Sequence, residues 1–308
     1  MSKQLNHHPL VGSASRRQSR LKALLRLAVG AGLLGLAVFY ALAKFWMLDG
    51  QSVTVLDLTE ERTVFKRTID LARPDVDYVF HACCDHSTAI ERDIDGRPAR
   101  RFVIRGADPL IKGSHRSEIR FRPNELGQDV WFRATVHVPL DWQSSDVHVT
   151  AMQWHGTRDI LLLERGRTPP LQLGIRGDRW EILKSWDQRW LTGDDQEENV
   201  AVPQGARPIF GRTLLAETPL KPGEWQEWTF FVHWSTGADG VLRAWHDGEL
   251  ILDDRGPNAH QDVIGPYMKA GVYVPDWTLD GPEATIPERT LAFGEIIISG
   301  APDPFGLR

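Results

Sequence analysis

The sequence predicts an all-β protein, a two-sheet β-sandwich of the jelly-roll, concanavalin-like kind, preceded by one N-terminal transmembrane helix. From residue 51 onward, short runs of alternating apolar and polar residues are separated by Gly, Pro, Asn and Asp, which is typical of strands joined by turns. Twelve tryptophans and 27 glycines favour strands and turns over helices. Long helical periodicity is absent after residue 50, so a helical bundle is not expected.

The first 50 residues have a different composition. A basic stretch, Arg16–Lys22, precedes an uncharged apolar run of 17 residues, Leu27–Ala43. This length is at the lower limit for a membrane-spanning helix, and Ala41–Ala43 also fits a signal-peptidase site. The basic flank predicts a cytoplasmic N-terminus. We therefore expect a cytoplasmic tail (1–22), a signal anchor or signal peptide (23–48) and an exported domain (50–308). That domain would be periplasmic or extracellular, either held at the inner membrane or secreted.

Charge is distributed unevenly along the chain. Residues 1–50 hold seven of the 36 Lys and Arg residues and one of the 41 Asp and Glu residues, so the remainder has 29 basic and 40 acidic residues, a net charge of −11. Bulk attraction to nucleic acid is therefore excluded. An anionic ligand would require basic residues concentrated in one cleft.

The only two cysteines, Cys83 and Cys84, are adjacent and cannot join distant segments. We expect two reduced thiols rather than a bridge between them. The stretch "HACCDH" (His81–His86) resembles metal-ligand spacing, but no second Cys/His cluster completes a tetrahedral zinc site. No metal is expected.

Thirteen strands are predicted from alternation and turn signals. They are Val53–Leu58, Thr88–Ile94, Arg100–Arg105, His115–Phe121, Val130–Pro139, Val147–His155, Leu171–Ile175, Arg179–Lys184, Trp225–Trp234, Leu242–Trp245, Glu249–Leu252, Tyr267–Val274 and Thr290–Ser299. The polar, pattern-free stretch Asp187–Gly211 is predicted to be a long loop over one sheet face. A sandwich of this kind has a concave face suited to an extended polymer.

Three of these strands each have a polar face that carries reactive side chains, opposite an apolar face. The grouped residues are Arg116, Glu118 and Arg120 in "RSEIR", Gln153 and His155 in "MQWHG", and Tyr267, Lys269, Gly271 and Tyr273 in "YMKAGVY". Side by side, these strands would form one wall of cationic and hydrogen-bonding groups.

This set of residues suits the β-elimination of a uronic-acid polymer. That reaction removes the C5 proton and expels the 4-linked sugar, and it requires the neighbouring carboxylate to be neutralised. The forked donors of arginine, with Gln and His, can neutralise it. Tyrosine or histidine can act as base, and a tyrosine hydroxyl can protonate the leaving oxygen. No cofactor is needed when side chains neutralise the carboxylate.

The three motifs resemble those of the jelly-roll polysaccharide lyases, which include alginate lyases, glucuronan lyases and heparin-lyase-I-like enzymes. That family carries an R-S/T-E-L-R strand, a Q-I/V-H strand and a Y-F-K-A-G-x-Y-x-Q strand, in the order found here. The wider stretches "QWHG", "WHDGELI" and "GPYMKAGVY" are closer to the glucuronan-lyase and heparin-lyase-I-like branch. The resemblance spans roughly residues 51–300 and implies a lyase acting on an acidic polysaccharide.

The resemblance also implies a role for each matching residue. Arg116 and Gln153 would neutralise the carboxylate. His155 would be a neutraliser or the base, and Tyr273 the catalytic base or acid. Lys269 would be a substrate-binding or pKa-tuning residue. Arg120 and Tyr267 are also predicted to bind substrate, and Tyr267 by itself would equally suit the core. The family's glutamine two residues after the second tyrosine is Pro275 here, which argues against alginate as the substrate.

Two other functions are weighed on the sequence alone. A glycoside hydrolase on the same sandwich could use Glu91, Asp93 and Asp95, which share one face of "ERDID". A non-catalytic carbohydrate-binding protein would have no need of Tyr273 beside Arg and His. Glu118 is interpreted as structural, holding Arg116 or Arg120. The tryptophans of the strands are expected in the core rather than on sugars, namely Trp154, Trp225, Trp228 and Trp234.

Overall fold

The computed structural model describes residues 66–69, 71, 78–94, 96–159, 164, 166–191, 200–275, 277 and 286–307, together with Gly35. The chain divides into two compact units, Met1–Thr59 and Glu60–Arg308. Of the first unit only Gly35 is described, and it is helical. Among the described residues, no helix has the length and apolar character needed to cross a membrane. The predicted anchor (23–48) and the predicted strand Val53–Leu58 lie outside the described residues, apart from Gly35.

The described part of the second unit forms fifteen strands and one short 3-10 helix, Asp85–Ser87. The strands are β1 (Lys66–Ile69), β2 (Val79–His81), β3 (Thr88–Ile94), β4 (Arg97–Arg105), β5 (His115–Pro123), β6 (Asp129–His137), β7 (Val149–Thr157), β8 (Leu171–Arg176), β9 (Arg179–Asp187), β10 (Phe210–Pro219), β11 (Trp225–His233), β12 (Val241–His246), β13 (Glu249–Arg255), β14 (Ile264–Val274) and β15 (Glu288–Ser299). The all-β prediction is confirmed for this unit.

The strands build two antiparallel sheets. The eight-stranded sheet has the order β13-β12-β11-β6-β15-β4-β3, with β1 also paired to β15. The seven-stranded sheet has the order β10-β9-β8-β7-β14-β5-β2. The three motif strands, β7, β14 and β5, are therefore neighbours at the centre of the seven-stranded sheet. They are separated in sequence and are joined only by long-range pairing.

The core lies between the two sheets. Trp154 on β7 packs edge-on against Phe132 on β6 and Phe230 on β11, with ring centroids 5.1 and 5.0 Å apart. Each such buried side chain contributes about 1.5–3 kcal/mol to stability. Trp154, Trp228 and Trp234 are fully buried, as predicted, whereas Trp225 is half-buried and donates its indole N–H to the Ile94 carbonyl at 3.1 Å. The two-sheet sandwich predicted from the sequence is confirmed.

The structure contains strands that the sequence does not predict. β10 pairs with β9 along its length, but a register shift at Leu214–Ala216 interrupts its alternation and hides the strand pattern. β2 has three residues, too few for a period-2 signal. Of the predicted loop Asp187–Gly211, the described residues 188–191 and 200–209 lie outside the named strands.

The expectation of two reduced thiols is wrong. Cys83 and Cys84 form a disulfide with each other, at a bend in the chain between β2 and the 3-10 helix. The bend brings the two neighbouring sulfur atoms within bonding distance. The Cys83 and Cys84 sulfurs and an Asp108 carboxylate oxygen lie within 4.8 Å of one another. However, sulfurs bonded to each other are not thiolate ligands for a metal.

Candidate active site

The register of β14 with its two neighbours brings the predicted site residues onto one face. Lys269 lies opposite Arg120 on β5 and opposite Gln153 on β7. Met268, Ala270 and Val272 point into the core, so the alternate residues of β14 point to the outer face. The outer face carries all seven predicted site residues, namely Arg116, Arg120, Gln153, His155, Tyr267, Lys269 and Tyr273.

A glycine allows β14 to pack closely on β5 at the centre of this face. Gly271 lies opposite Glu118 and has a φ of +146°. A Cβ atom at this position would lie 2.2 Å from the Ser117 carbonyl oxygen and 2.7 Å from the Glu118 Cα. Any other residue would push the two strands apart and separate Lys269 from Glu118.

Glu118 is the buried centre of the site, with 2% of its surface exposed. Its carboxylate accepts hydrogen bonds from Lys269 Nζ at 3.3 Å, from Arg116 Nη1 at 3.4 Å and from the Gln153 side-chain amide. A carboxylate buried this deeply is stable only when it is paired and hydrogen-bonded. Glu118 therefore has the structural role expected for it, and it holds Lys269 and Gln153 as well as Arg116.

Two tyrosines lie at opposite ends of the site, each covered by an arginine. The Arg116 guanidinium carbon lies 4.4 Å from the centre of the Tyr273 ring. The Arg120 guanidinium carbon lies 4.2 Å from the centre of the Tyr267 ring. The two tyrosines are six residues apart on one strand, which corresponds to about 20 Å at about 3.3 Å per residue.

His155 is beside Tyr267 rather than Tyr273. The His155 and Tyr267 rings are stacked with centroids 5.4 Å apart and planes 16° apart, and the two residues face each other across β7 and β14. The structure thus divides the predicted residues into a Tyr273–Arg116 end and a Tyr267–His155–Arg120 end, with Glu118 between them. Tyr267, expected only to bind substrate, is the tyrosine that contacts His155.

His155 is held as a neutral side chain with a defined tautomer. Burial, followed by the charge of Lys269, lowers its pKa from the ordinary 6.5 to about 3. Its Nδ1 lies 2.8 Å from the Gly156 carbonyl oxygen. A carbonyl can only accept, so Nδ1 carries the hydrogen and Nε2 keeps its lone pair. Nε2 can therefore accept a proton.

His81 is a member of the site that sequence reasoning missed. It lies opposite Glu118 on the edge strand β2, and its half-buried ring has a buried Nδ1 with no hydrogen-bond partner among the described atoms. Burial and then the charges of Lys269, Lys112, Arg120 and Arg116 lower its pKa to about 3. The only signal was "HACCDH", which suggested a metal rather than a place beside β5.

A buried charged cluster lies behind His155 and was also missed. Arg167 contacts Glu164 and lies 3.1 Å from Asp262 and 3.9 Å from Asp187. His260 is fully buried next to them. Burial first, then the charge of Arg167 and the nearness of His155, lowers the pKa of His260. His260 and Asp262 precede β14 in an irregular segment, where no periodic pattern marks them as buried.

Of the acids proposed for a hydrolase, Glu91 is located on the other sheet. β3 is the edge strand of the eight-stranded sheet, not of the sheet that carries the site. Glu91 is engaged in an ion pair of 2.5 Å with Arg101. The side chains of Asp93 and Asp95 lie outside the described residues. Glu91 is therefore placed apart from the residues of the motif strands.

Comparison with known families decides the identity of the chain. Residues 84–296, more than half of the chain, match the family model named Polysaccharide lyase. The chain belongs to the polysaccharide lyase family. The hydrolase and the non-catalytic binding protein are thereby set aside, and this polysaccharide lyase has all three motif strands inside the matched region.

Solved structures resemble the fold of this polysaccharide lyase. Endo-β-1,4-glucuronan lyase from the fungus Trichoderma reesei matches with a TM-score of 0.56 and 14% identity, over 76% of this chain and 94% of that chain. An alginate lyase of polysaccharide lyase family 7 matches with a TM-score of 0.46 and 12% identity, over 72% of this chain and 93% of that one. No curated protein matches the sequence. At these identities the likeness shows the fold alone.

Proposed function

We propose that this polysaccharide lyase cleaves a glucuronan-like or other uronic-acid polymer by β-elimination. The observation that carries the proposal is the composition of the outer face of β5, β14 and β7. There, buried Glu118 holds Arg116, Lys269 and Gln153 together, between a neutral histidine and two arginine-covered tyrosines.

The first requirement is to neutralise the substrate carboxylate. Arg116 and Lys269 both contact Glu118, and the charges of Lys269, Lys112, Arg120 and Arg116 all act on His81, which lies opposite Glu118. The whole chain has a net charge of −5, so this concentration of positive charge is local and favours a polyanion at the site. Arg116 Nε is buried with no partner among the described atoms, which leaves it a donor to offer to a carboxylate.

The second requirement is to move protons. The base takes the C5 proton, the electron pair of the C5–H bond forms the C4=C5 double bond, and the C4–O bond breaks. The leaving oxygen then receives a proton from an acid. Tyr273 is the proposed proton-transfer residue, because its ring lies 4.4 Å from the Arg116 guanidinium, which can pair with the substrate carboxylate and so bring C5 next to the tyrosine. His155 is the second candidate, since its Nε2 is unprotonated.

The choice of glucuronan over alginate has two supports. The motif stretches "QWHG" and "GPYMKAGVY" resemble the glucuronan-lyase branch, and Pro275 replaces the glutamine of the alginate lyases.

Measuring the unsaturated product tests the proposal. The full chain is incubated with glucuronan, alginate, a glycosaminoglycan and a neutral glucan, and absorbance is followed at about 230–235 nm, where the C4=C5 uronate produced by elimination absorbs. We expect the chromophore with glucuronan and none with the neutral glucan. Reducing ends formed without the chromophore, or no cleavage of any uronate polymer, would contradict the proposal.

Export of the lyase domain is the second part of the proposal. It rests on the basic flank Arg16–Lys22 before the apolar run Leu27–Ala43. Fractionation combined with external protease treatment tests it, and recovery of an intact chain in the soluble cytoplasmic fraction would argue against export.

A further inference from the structure

One peptide unit joins His155 to a buried carboxyl group. The carbonyl of the Gly156–Thr157 peptide accepts the hydrogen of His155 Nδ1 at 2.8 Å. The N–H of the same peptide, on Thr157, is directed at the Asp262 carboxyl group, whose Oδ2 would lie 3.0 Å from a Cβ atom on Gly156. The Asp262 carboxyl and the His155 ring therefore lie against opposite sides of one amide.

The Gly156–Thr157 peptide is packed tightly against its neighbours at Gly156. A Cβ atom on Gly156 would lie 3.0 Å from Asp262 Oδ2 and 3.0 Å from His260 Nδ1. Asp262 and His260 are themselves 4% and 1% exposed. The peptide thus rests directly on two buried side chains, and a residue larger than glycine at position 156 would displace it.

Asp262 is in turn held from behind. Its backbone N–H donates to the His260 carbonyl at 2.8 Å, and its Oδ1 lies 3.1 Å from Arg167 Nε. Arg167 Nε also donates to Glu164 Oε1 at 2.6 Å. The backbone bond to His260 and the ion pair with Arg167 thus fix the position of the Asp262 carboxyl, and a fixed carboxyl can define the orientation of the peptide that it contacts.

We infer that Asp262 is a positioning residue for His155 and acts through the Gly156–Thr157 peptide. An amide whose N–H faces a carboxyl oxygen becomes a better acceptor at its carbonyl, by up to about 10–30%. The Gly156 carbonyl therefore keeps the hydrogen on His155 Nδ1. Nε2 then stays unprotonated and can accept a proton from the substrate. The inference rests on the proposed part of His155 in the elimination.

The arrangement does not depend on the ionisation of Asp262. Burial raises the pKa of this carboxyl well above its ordinary value, and neighbouring Glu164 and Asp159 raise it further, whereas Arg167 lowers it. Both the protonated and the ionised carboxyl keep an oxygen that accepts the Thr157 N–H. An asparagine at this position keeps such an oxygen too.

Nitrogen NMR of the full chain, with ¹⁵N-labelled histidine, measures the tautomer directly and needs no substrate. The His155 signals are assigned by their loss in His155→Gln. We expect the hydrogen on Nδ1 in the unsubstituted chain, a mixture of tautomers in Asp262→Ala, and return to the Nδ1–H form in Asp262→Asn. Asp159→Ala is the matched control, because Asp159 is equally buried but accepts from Val263 at 3.4 Å and does not contact the His155 peptide.

Activity is the second measurement. This measurement uses a polymer that the protein has been shown to cleave. Asp262→Ala should lower kcat by about 10- to 100-fold while KM stays within about twofold, because His155 is misplaced rather than removed. A hydrogen on Nε2 in the unsubstituted chain, or an unchanged tautomer in folded Asp262→Ala, would overturn the inference even if elimination is observed. The tautomer result stands by itself if no polymer is cleaved, so the two proposals can fail separately.

Discussion

The two ends of the candidate active site are built alike but are supported differently. At each end an arginine covers a tyrosine ring, Arg116 over Tyr273 and Arg120 over Tyr267. At the Tyr273 end the arginine is also bonded to buried Glu118. At the Tyr267 end the ring is stacked on neutral His155, with a buried charged cluster behind it. The same pair of residue types can therefore serve proton transfer at one end and positioning at the other.

The largest expected effect comes from comparing the two tyrosine hydroxyls. Tyr273→Phe removes only a hydroxyl, so turnover should fall by about 10²-fold or more while substrate affinity changes little. Tyr267→Phe is the matched control on the same strand and face. It keeps the ring stacked on His155 and should cost about tenfold or less. Steady-state kinetics on the cleaved polymer measures both variants.

The opposite ranking would reverse the assignment. If Tyr267→Phe abolishes elimination and Tyr273→Phe retains it, proton transfer takes place at the His155 end. The Tyr273 end would then serve only to bind the polymer.

Removing the imidazole of His155 should have the next largest effect. His155→Gln keeps a hydrogen-bonding side chain but loses the proton acceptor, so turnover should fall by about 10²-fold if His155 moves a proton. The pKa of His155 is about 3 in the folded protein. In the wild-type protein, kcat/KM plotted against pH should therefore not fall as the pH is lowered through 6.5. His148→Gln is the control, because His148 is bonded to Glu181 near the far end of β7. An acid limb near pH 6.5 that His155→Gln removes would show that the histidine titrates normally.

Exchanging arginine for lysine separates charge from shape at the two ends. Arg116→Lys keeps the positive charge but loses the two parallel N–H donors that a guanidinium offers to a carboxylate. We therefore expect kcat/KM to fall about tenfold, through changes in both kcat and KM. Arg120→Lys should mainly raise KM, in keeping with substrate binding. Equal effects of the two variants on kcat would remove the distinction between the ends.

The smallest expected effect is on stability in acid. Both His81 and His155 have pKa values of about 3 in the folded protein and ordinary values of 6.5. Below pH 6.5 the unfolded chain takes up protons at these two residues while the folded chain does not. The stability contributed by the neutral rings is thus complete above pH 6.5 and is lost as the pH falls toward 3.

Thermal unfolding between pH 7 and pH 4 tests this sign. The melting temperature of wild type should fall over this range. The fall should be smaller by at least about 2–4 °C, or roughly 1 kcal/mol or more, in the His81→Gln/His155→Gln double variant. The reason is that each neutral histidine loses up to about 1.4 kcal/mol of stability per pH unit below 6.5, and solvent screening reduces this loss at half-buried His81. An identical fall in both proteins would show that these histidines do not contribute to acid unfolding.

Much of the site could be predicted from the sequence because alternation along a strand is local. In "YMKAGVY", period-2 spacing assigns Lys269 and Tyr273 to the face opposite Met268 and Val272, and the structure keeps that assignment. The same reasoning predicts the sandwich and its tryptophan core. Residues outside regular strands gave no such signal, so Asp262 and His260 were missed although both are buried near His155.

The alternation within the three motif strands was therefore determined by the sequence, and the way these strands combine was determined by the tertiary structure. The side-chain alternation of β5, β7 and β14, and the order of their motifs, follow from covalent geometry and residue type alone. Which tyrosine meets His155, the position of His81 opposite Glu118 and the cluster behind Gly156 depend on strand order and register. Register is set by packing between residues far apart in sequence, which no local pattern contains.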